Sequence, residues 1–302
     1  MNLFTAENIS KSYSTNGFRL NDISFELQSG KISGVVGENG NGKTTLLRIV
    51  AGDLSFDQGT ITYFGGHTIE ELGWSTIKSK VAYIPQRIPR WYGGLRDNLI
   101  FEAAIKNIKG NKADAVIDDL VEKLGLSKYI HLKWSEISTG YRLRFQLAKM
   151  LIGSPDLLVL DEPIANLDIN AQNKFLGDLR AIVSENNRNV SVILSSQQLH
   201  EIENVADSVI FLKAGELVYA GDVNKIGETR VDNEFELQGD FDTTFLQKHF
   251  PSIEVRQIAK TFHVKVPLAV SSSDFLNVII SQQKAVHYFR DISSSTRKLF
   301  NQ

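Results

Sequence analysis

The sequence contains no cysteine and has no strong excess of charge of either sign. Without cysteine, disulfides, thiolate metal sites and cysteine nucleophiles are excluded. Its 33 basic and 35 acidic residues give a formal net charge of −2, so no overall basic character favours nucleic acid as a partner. No apolar run approaches the roughly 20 residues that cross a bilayer, and the first residues, MNLFTAENISKSYS, lack the apolar core of a signal peptide. We therefore expect a cytosolic chain.

A glycine-rich stretch, GVVGENGNGKTTLLRIVAG, occupies residues 34–52. The apolar run Ile32–Val36 precedes it and a helical segment follows, which is the strand–loop–helix context of the phosphate-loop pattern G-x-x-x-x-G-K-[ST]. Glycines allow successive N–H groups to point at phosphate oxygens. The start of the helix adds further N–H groups and its positive dipole end. The stretch predicts nucleotide binding.

Two residues of this loop are predicted to act directly on the ligand. Lys43 would reach the outer phosphates of the nucleotide, and the Thr44 hydroxyl would hold Mg²⁺, a hard cation that prefers oxygen ligands. The nucleotide-binding candidates are the residues of the loop and of the following helical turn: Gly37, Glu38, Asn39, Gly40, Asn41, Gly42, Lys43, Thr44 and Thr45.

A second segment with phosphate chemistry is PDLLVLDEP, residues 155–163. Its continuous apolar run is typical of a strand buried on both faces, and it ends at Asp161 and Glu162, where ligands gather at the carboxyl edge of a sheet. Asp161 is predicted to reach Mg²⁺ through water, and Glu162 to polarise an attacking water. The alternative is a solvated acidic turn after a core strand.

The segment NKAD, residues 111–114, matches the element that reads guanine in guanine-nucleotide switches. No apolar strand precedes it, and it begins a polar helical stretch. Asp114 is favourable there because acidic side chains stabilise the first turn of a helix. We interpret the match as incidental.

The stretch SEISTGYRLRFQLAKMLIGSPDLLVLDEPIANLD, residues 135–168, resembles the signature region of ATP-binding cassette ATPases. In that family a Ser-Gly-Gly-Gln element begins a helix that leads into the acidic strand. Ser138, Thr139, Gly140 and Tyr141 occupy those four places, and ANLD, ending at Asp168, resembles the family's D-loop.

Three more pieces follow the order of this family, and together the resemblance covers residues 1 to about 225. Tyr13 matches the aromatic residue that stacks on adenine. Gln86 matches the glutamine that senses the γ-phosphate and contributes to the metal site. The segment 191–221 resembles the closing switch strand and terminal hairpin. Taken singly, Tyr13 also fits an ordinary half-buried aromatic residue, and Gln86 a polar residue that closes a strand.

The resemblance implies that two cassettes associate head to tail and enclose two ATP molecules. Ser138 Oγ and the Gly140 N–H group, at a helix N-terminus, would bind the γ-phosphate held by the other cassette, and Asp168 would complete the shared site. The implied protein is an ATP-hydrolysing subunit of a membrane transporter, more exporter-like than importer-like. Its implied partners are an integral membrane permease and a second cassette, identical or paralogous, on the inner face of the cell membrane.

This chain departs from the family pattern at two places. The switch histidine is replaced by Gln197, which donates through its amide but carries no charge; His200, three residues further on, is not expected to substitute. The predicted catalytic set is Glu162, Gln197 and Gln86, with slow hydrolysis as the expectation. Thr139 and Tyr141 in the signature predict looser binding across the dimer; harmless drift is the alternative.

The expected fold is α/β, a phosphate-loop NTPase cassette in residues 1–226 with a β-rich start (residues 2–36 and 58–65). A helical insert at about 88–153 should contact the membrane partner. Trp91 and Tyr92 are candidates for that groove, and ordinary core aromatic residues are the alternative. Residues 228–302 read as a small α+β domain in the order βαββαβ, closed by a helix at SSSTRKLF (293–300). This tail resembles accessory domains of two-component exporters, and we interpret it as a dimer-stabilising or docking module.

Two other functions remain open from the sequence. One is a soluble cassette ATPase acting on ribosomes or DNA. Such proteins usually fuse two cassettes or carry a long coiled coil, whereas this chain has one phosphate loop and no heptad run. The other is a cassette that uses ATP as a conformational switch with negligible turnover.

Overall fold

A computed structural model describes residues 2–13, 17–185, 190–225 and 232–293. The chain divides into two compact units, Met1–Val223 and Asn224–Gln302. Of the predicted closing helix, residues 294–300 lie outside the described residues.

The larger unit is built on a ten-stranded sheet. Its strands are β1 (Asn2–Ser12), β2 (Arg19–Gln28), β3 (Ile32–Val36), β4 (Gln58–Tyr63), β5 (His67–Thr68), β6 (Val81–Ile84), β7 (Leu157–Leu160), β8 (Ser191–Ser196), β9 (Ser208–Lys213) and β10 (Glu216–Asp222). Their order across the sheet is β5-β4-β1-β2-β10-β9-β3-β8-β7-β6. Strands β1, β2, β4 and β5 pair antiparallel, whereas β9, β3, β8, β7 and β6 run parallel. The α/β class and the β-rich start are confirmed.

The parallel strands are buried at every position of β3, β7 and β8. Their apolar runs are therefore those of strands covered on both faces, as predicted. In register, Val36 pairs with Ser196 and Leu160 with Leu194. The loops that follow these three strands consequently meet at one edge of the sheet, which is where ligands bind in such sheets.

Seven helices accompany this sheet in the described residues: α1 (Lys43–Val50), α2 (Ile69–Leu72), α3 (Trp74–Lys80), α4 (Leu95–Ile105), α5 (Asn111–Lys123), α6 (Thr139–Leu151) and α7 (Ile169–Ser184). The predicted helical insert consists of α4, α5 and α6. In α5 the buried positions, among them Ile117, Leu120 and Val121, follow the spacing of one helix face. The NKAD segment forms the first turn of α5, where Asp114 accepts a hydrogen bond from Arg96 at 2.9 Å.

Trp91 is a core residue, which corrects its candidacy for a docking groove. Its ring stacks on Trp134 with centroids 4.8 Å apart, and its Nε1 donates to Gln146 Oε1 at 3.1 Å. Burial of a tryptophan requires such a partner for the indole N–H. Tyr92, in contrast, is 81 % exposed and remains a candidate contact.

The smaller unit contains β11 (Asp232–Gly239), α8 (Thr243–His249), β12 (Glu254–Ile258), β13 (Thr261–Pro267), α9 (Ser272–Ser281) and β14 (Val286–Asp291). The antiparallel sheet has the order β12-β13-β11-β14, so the predicted βαββαβ order is confirmed and forms a ferredoxin-like sheet. Its core gathers apolar side chains of both helices and the sheet, including Phe235, Leu246 and Phe275. Across the described parts of both units, no helix combines the length and apolar character needed to span a bilayer.

Candidate functional site

The phosphate loop runs from the end of β3 to the start of α1, and its backbone depends on glycine. Gly42, which caps α1, has φ +97°, a left-handed conformation that is costly for other residues. A Cβ at Gly42 would lie 2.5 Å from Leu20 Cδ2, and one at Gly37 would lie 2.6 Å from the Leu212 carbonyl oxygen. The sequence therefore needs glycine at both positions to bring the loop close to α1 and the sheet.

Lys43 is folded into this loop and is only 4 % exposed. Its Nζ donates to the carbonyl oxygens of Gly37 and Glu38 at 2.7 and 3.1 Å. It also forms an ion pair with Glu162 Oε1 at 3.0 Å. The loop backbone thus holds the ammonium group beside the carboxylate that follows β7.

The three predicted catalytic residues come together around the Glu162 carboxylate. Oε2 of Glu162 accepts one hydrogen bond from Gln86 Nε2 and one from Gln197 Nε2, each at 3.0 Å. The Gln197 amide is therefore a hydrogen-bond donor to this carboxylate. His200 lies in a short 3₁₀ turn, Leu199–Glu201, with its side chain exposed, as expected for a residue that does not take over that role.

The Asp161 carboxylate is 2 % exposed and is held by hydroxyl groups. Its Oδ1 accepts from Thr44 Oγ1 at 3.1 Å and from Ser195 Oγ at 2.9 Å, and its Oδ2 accepts from Tyr83 at 3.4 Å. Burial, followed by the nearby negative charge of Asp161, raises the pKa of Tyr83 and keeps its hydroxyl protonated as a donor. Sequence reasoning missed Ser195 and Tyr83.

A cleft of about 490 Å³ lies against the loop. It is lined by aromatic, backbone and catalytic groups: Tyr13, Phe18, Asn39, Gly40, Gly42, Lys43, Thr44, Thr45, Gln86 and Glu162. The rings of Tyr13 and Phe18 lie 6.4 Å apart, so the cleft offers an apolar surface as well as phosphate-binding groups. Asn41 has another task, because its Oδ1 accepts from the Ala214 N–H group at 3.0 Å and ties the loop to the turn after β9.

The donor chemistry beside this cleft fits a magnesium ion. Among the described residues, no Lys, Arg or His forms an ion pair with Asp161, whose carboxylate accepts hydrogen bonds from the hydroxyls of Thr44, Ser195 and Tyr83. A buried carboxylate is stabilised strongly by a cation. Mg²⁺ is commonly held by one or two carboxylates together with substrate phosphates, and the Asp161 carboxylate with the Thr44 hydroxyl offers oxygen ligands of this kind.

The predicted signature and D-loop residues lie at the starts of α6 and α7 and do not line the cleft. Ser138 caps α6, where its Oγ accepts from the Tyr141 N–H group at 3.5 Å. Asp168 caps α7 through the N–H groups of Asn170 and Ala171. A Cβ at Gly140 would lie 3.3 Å from Ala171 Cβ. The two helix starts are therefore neighbours.

Tyr141, which replaces the glutamine of the signature, packs against another side chain of the same unit. Its ring centroid lies 4.0 Å from that of Tyr129, and the hydrogen bond between these side chains raises the pKa of Tyr141. The tyrosine therefore has an intramolecular packing role that a glutamine would not supply.

Comparisons with known proteins show which family the chain resembles. Residues 20–165 match the family described as ABC transporter. The ABC transporter ATP-binding protein NatA of Bacillus subtilis is 30 % identical over 217 residues, which cover 69 % of this chain and 83 % of NatA. The molybdate/tungstate import ATP-binding protein WtpC of Pyrococcus abyssi is 29 % identical over 231 residues, 76 % of this chain and 65 % of WtpC.

The fold also matches solved structures. The structure of cbiO1 from Clostridium perfringens, part of the ABC transporter complex cbiONQ, has a TM-score of 0.66 at 20 % identity. The match covers 76 % of this chain and 95 % of cbiO1. ATP-binding subunits of ABC transporters dimerise and pair with membrane permease subunits. This chain belongs to the ABC transporter family as an ATP-binding subunit, and it is an ATPase.

Proposed function

We propose that this chain powers a membrane transporter of the exporter type by closing with a second cassette around ATP and hydrolysing it. The observation that carries the proposal is the convergence of Lys43, Gln86 and Gln197 on the Glu162 carboxylate. These groups form half of a hydrolytic site. The signature residues Ser138 and Gly140 lie outside the cleft, as expected if they serve the ATP of the other cassette.

Each half-site residue has a distinct task in the proposal. Glu162 polarises the attacking water as a general base. Lys43 moves its ammonium group to the outer phosphates, and Gln197 donates its amide hydrogen bond to the γ-phosphate and the water. Thr44 and Asp161, with Gln86, would hold Mg²⁺, which neutralises charge on the phosphates when bound.

The second cassette contributes the opposite wall of the site. Ser138 Oγ and the Gly140 N–H group are at the positive end of α6, where a γ-phosphate binds favourably. Hydrolysis removes that phosphate and weakens the link between cassettes. The dimer then opens and biases the attached permease toward its other conformation.

The proposed permease contact is the helical insert. Tyr92 and two residues on one face of α4, Phe101 and Ile105, are 81, 65 and 60 % exposed; exposed apolar groups of this kind mark interaction surfaces. The tail, residues 228–302, is proposed to stabilise the dimer or to dock a partner. Its resemblance to exporter accessory domains supports export, whereas the relative WtpC is named for import.

Co-purification tests the transporter role. We expect the tagged chain to retain an integral membrane protein in mild detergent, and Tyr92→Glu with Phe101→Glu to release it. A chain truncated after residue 227 should form less dimer or retain less of the permease. Recovery only with ribosomes or DNA would contradict the proposal.

Gln197→His should raise steady-state phosphate release about tenfold. An imidazole can be protonated and carry a positive charge, which an amide cannot. Complete loss of a transition-state donor lowers the rate ~10²–10³-fold. The Gln197 amide still donates a hydrogen bond, so the loss relative to histidine is smaller. Gln198→His, one exposed position further on, is the matched control and should leave the rate unchanged.

An unchanged rate in Gln197→His would contradict this role. Negligible turnover in the natural sequence, together with ATP-driven dimerisation, would favour a switch with little hydrolysis. The presence of Gln197 in place of the switch histidine is the observation that supports this second function.

A further inference from the structure

The central strand β8 separates the two parts of the hydrolytic site. It runs parallel to β3 on one side and to β7 on the other, with Val35 opposite Ser195 and Leu160 opposite Leu194. Ser195 therefore lies one residue beyond the end of β7, beside Asp161. Its side chain is fully buried, with 0 % exposure.

The Ser195 hydroxyl bridges two consecutive residues of the site. It donates to the Asp161 carboxylate at 2.9 Å and accepts from the Glu162 N–H group at 2.8 Å. The Ser195 hydroxyl thus acts as a donor and as an acceptor at the same time. It links the side chain of Asp161 and the backbone of Glu162 to β8.

The backbone at Glu162 needs such an anchor. Its φ of +43° is left-handed, a conformation that is unfavourable for a residue with a Cβ and persists only where the surroundings hold it. The conformation sets the direction in which the Glu162 side chain leaves the strand. The bond from its N–H group to Ser195 therefore helps to place the carboxylate against Gln86 and Gln197.

The Asp161 carboxylate needs a donor that does not belong to the phosphate loop. Thr44 and Ser195 share Oδ1, but Thr44 is itself a proposed ligand-binding group. Ser195, on the central strand, can hold the carboxylate orientation whatever the Thr44 hydroxyl contacts. Partners of this kind orient the groups that bind metals and substrates.

We propose that Ser195 is a positioning residue for ATP hydrolysis, which orients the Asp161 carboxylate and fixes the backbone of Glu162. The inference rests on the proposed roles of these two acids. It assigns to the strand before Gln197 a function in catalysis that involves no contact with ATP.

The same strand supplies a matched control. Ser191, at the opposite end of β8, is 1 % exposed and accepts from the Gly30 N–H group at 2.8 Å. Ser191→Ala therefore removes a buried hydroxyl and one backbone partner, as Ser195→Ala does, but away from the site. A difference between the two variants measures positioning and not the general cost of a lost buried hydrogen bond.

The experiment compares Ser195→Ala, Ser195→Thr and Ser191→Ala in the full chain. We expect Ser195→Ala to lower kcat roughly 10–100-fold and to raise the half-saturating Mg²⁺ concentration by about the same factor. The KM for ATP, and binding of a fluorescent ATP analogue without Mg²⁺, should stay within about twofold because the phosphate loop is unchanged. Ser195→Thr, which keeps the hydroxyl, should recover most of the rate.

The inference is overturned if Ser195→Ala and Ser191→Ala have the same kcat and Mg²⁺ dependence. If Ser195→Ala does not fold, Ser195→Cys replaces it, because a thiol of similar size is a weak donor and acceptor. A Glu162→Gln arm separates the two levels of the proposal. Full turnover in that arm sinks the proposed site together with the inference, whereas loss of turnover there with no effect at Ser195 sinks the inference alone.

Discussion

Glu162→Gln should hydrolyse ATP about 10²–10⁴-fold more slowly than the natural sequence, because the substitution removes the base that polarises water. Glutamine has nearly the same size, and its amide oxygen can still accept from Gln86 and Gln197. The fold and ATP binding should therefore persist. Steady-state phosphate release, with binding of a fluorescent ATP analogue measured in parallel, checks both expectations.

The control is Glu203→Gln, which neutralises an exposed carboxylate that does not line the cleft. It should leave turnover unchanged, since an exposed charge outside the cleft has little effect on it. A Glu162→Gln protein that retains the natural rate would remove Glu162 from the mechanism. It would also leave the three donors around this carboxylate without a catalytic purpose.

Lys43→Ala should weaken ATP binding by about 10²-fold and reduce turnover accordingly. Loss of a buried, hydrogen-bonded charge from a binding site costs about 3 kcal/mol, which corresponds to that factor in affinity. Lys43 is buried, and its two backbone partners hold the ammonium group inside the loop that is proposed to bind the phosphates. Equilibrium titration with a fluorescent ATP analogue measures the change.

Lys31→Ala supplies the comparison for Lys43→Ala. The Lys31 side chain is 53 % exposed and contacts Asp207 at 3.5 Å, so its removal should leave the affinity for ATP within about twofold. Equal affinities in the two variants would contradict phosphate binding by Lys43. The pair therefore separates a specific contact from a general effect of lowering the positive charge.

The parts of the site that could be predicted from sequence are those whose residues are neighbours along the chain. The phosphate loop with its helix, the acidic pair after β7 and the capped start of α6 each carry a local pattern. Parallel strands then bring their ends to one edge. The family resemblance adds Gln86 and Gln197 to the catalytic set with Glu162, whereas the ion pair of Lys43 with Glu162 is a finding of the structure.

The parts that could not be predicted depend on register between distant segments. Ser195 lies 34 residues from Asp161 in the chain, and only the pairing of Leu194 with Leu160 brings them together. The sequence does not distinguish Trp91 from Tyr92, because their adjacency does not reveal which ring faces inward. The hydrogen-bond partner of Trp91, Gln146, lies 55 residues away in α6. The packing of α6 therefore determines that the Trp91 ring is the buried one.

The central claim is that two cassettes close around shared ATP, and sedimentation of the Glu162→Gln protein tests it most directly. With saturating MgATP, this variant should sediment as a dimer with a second cassette, its own copy or a paralogue supplied in the mixture, and return to monomer when ADP replaces ATP. Glu162→Gln combined with Ser138→Arg should stay monomeric, because the bulky side chain blocks the start of α6. A protein that remains monomeric with MgATP and every candidate cassette would contradict the account.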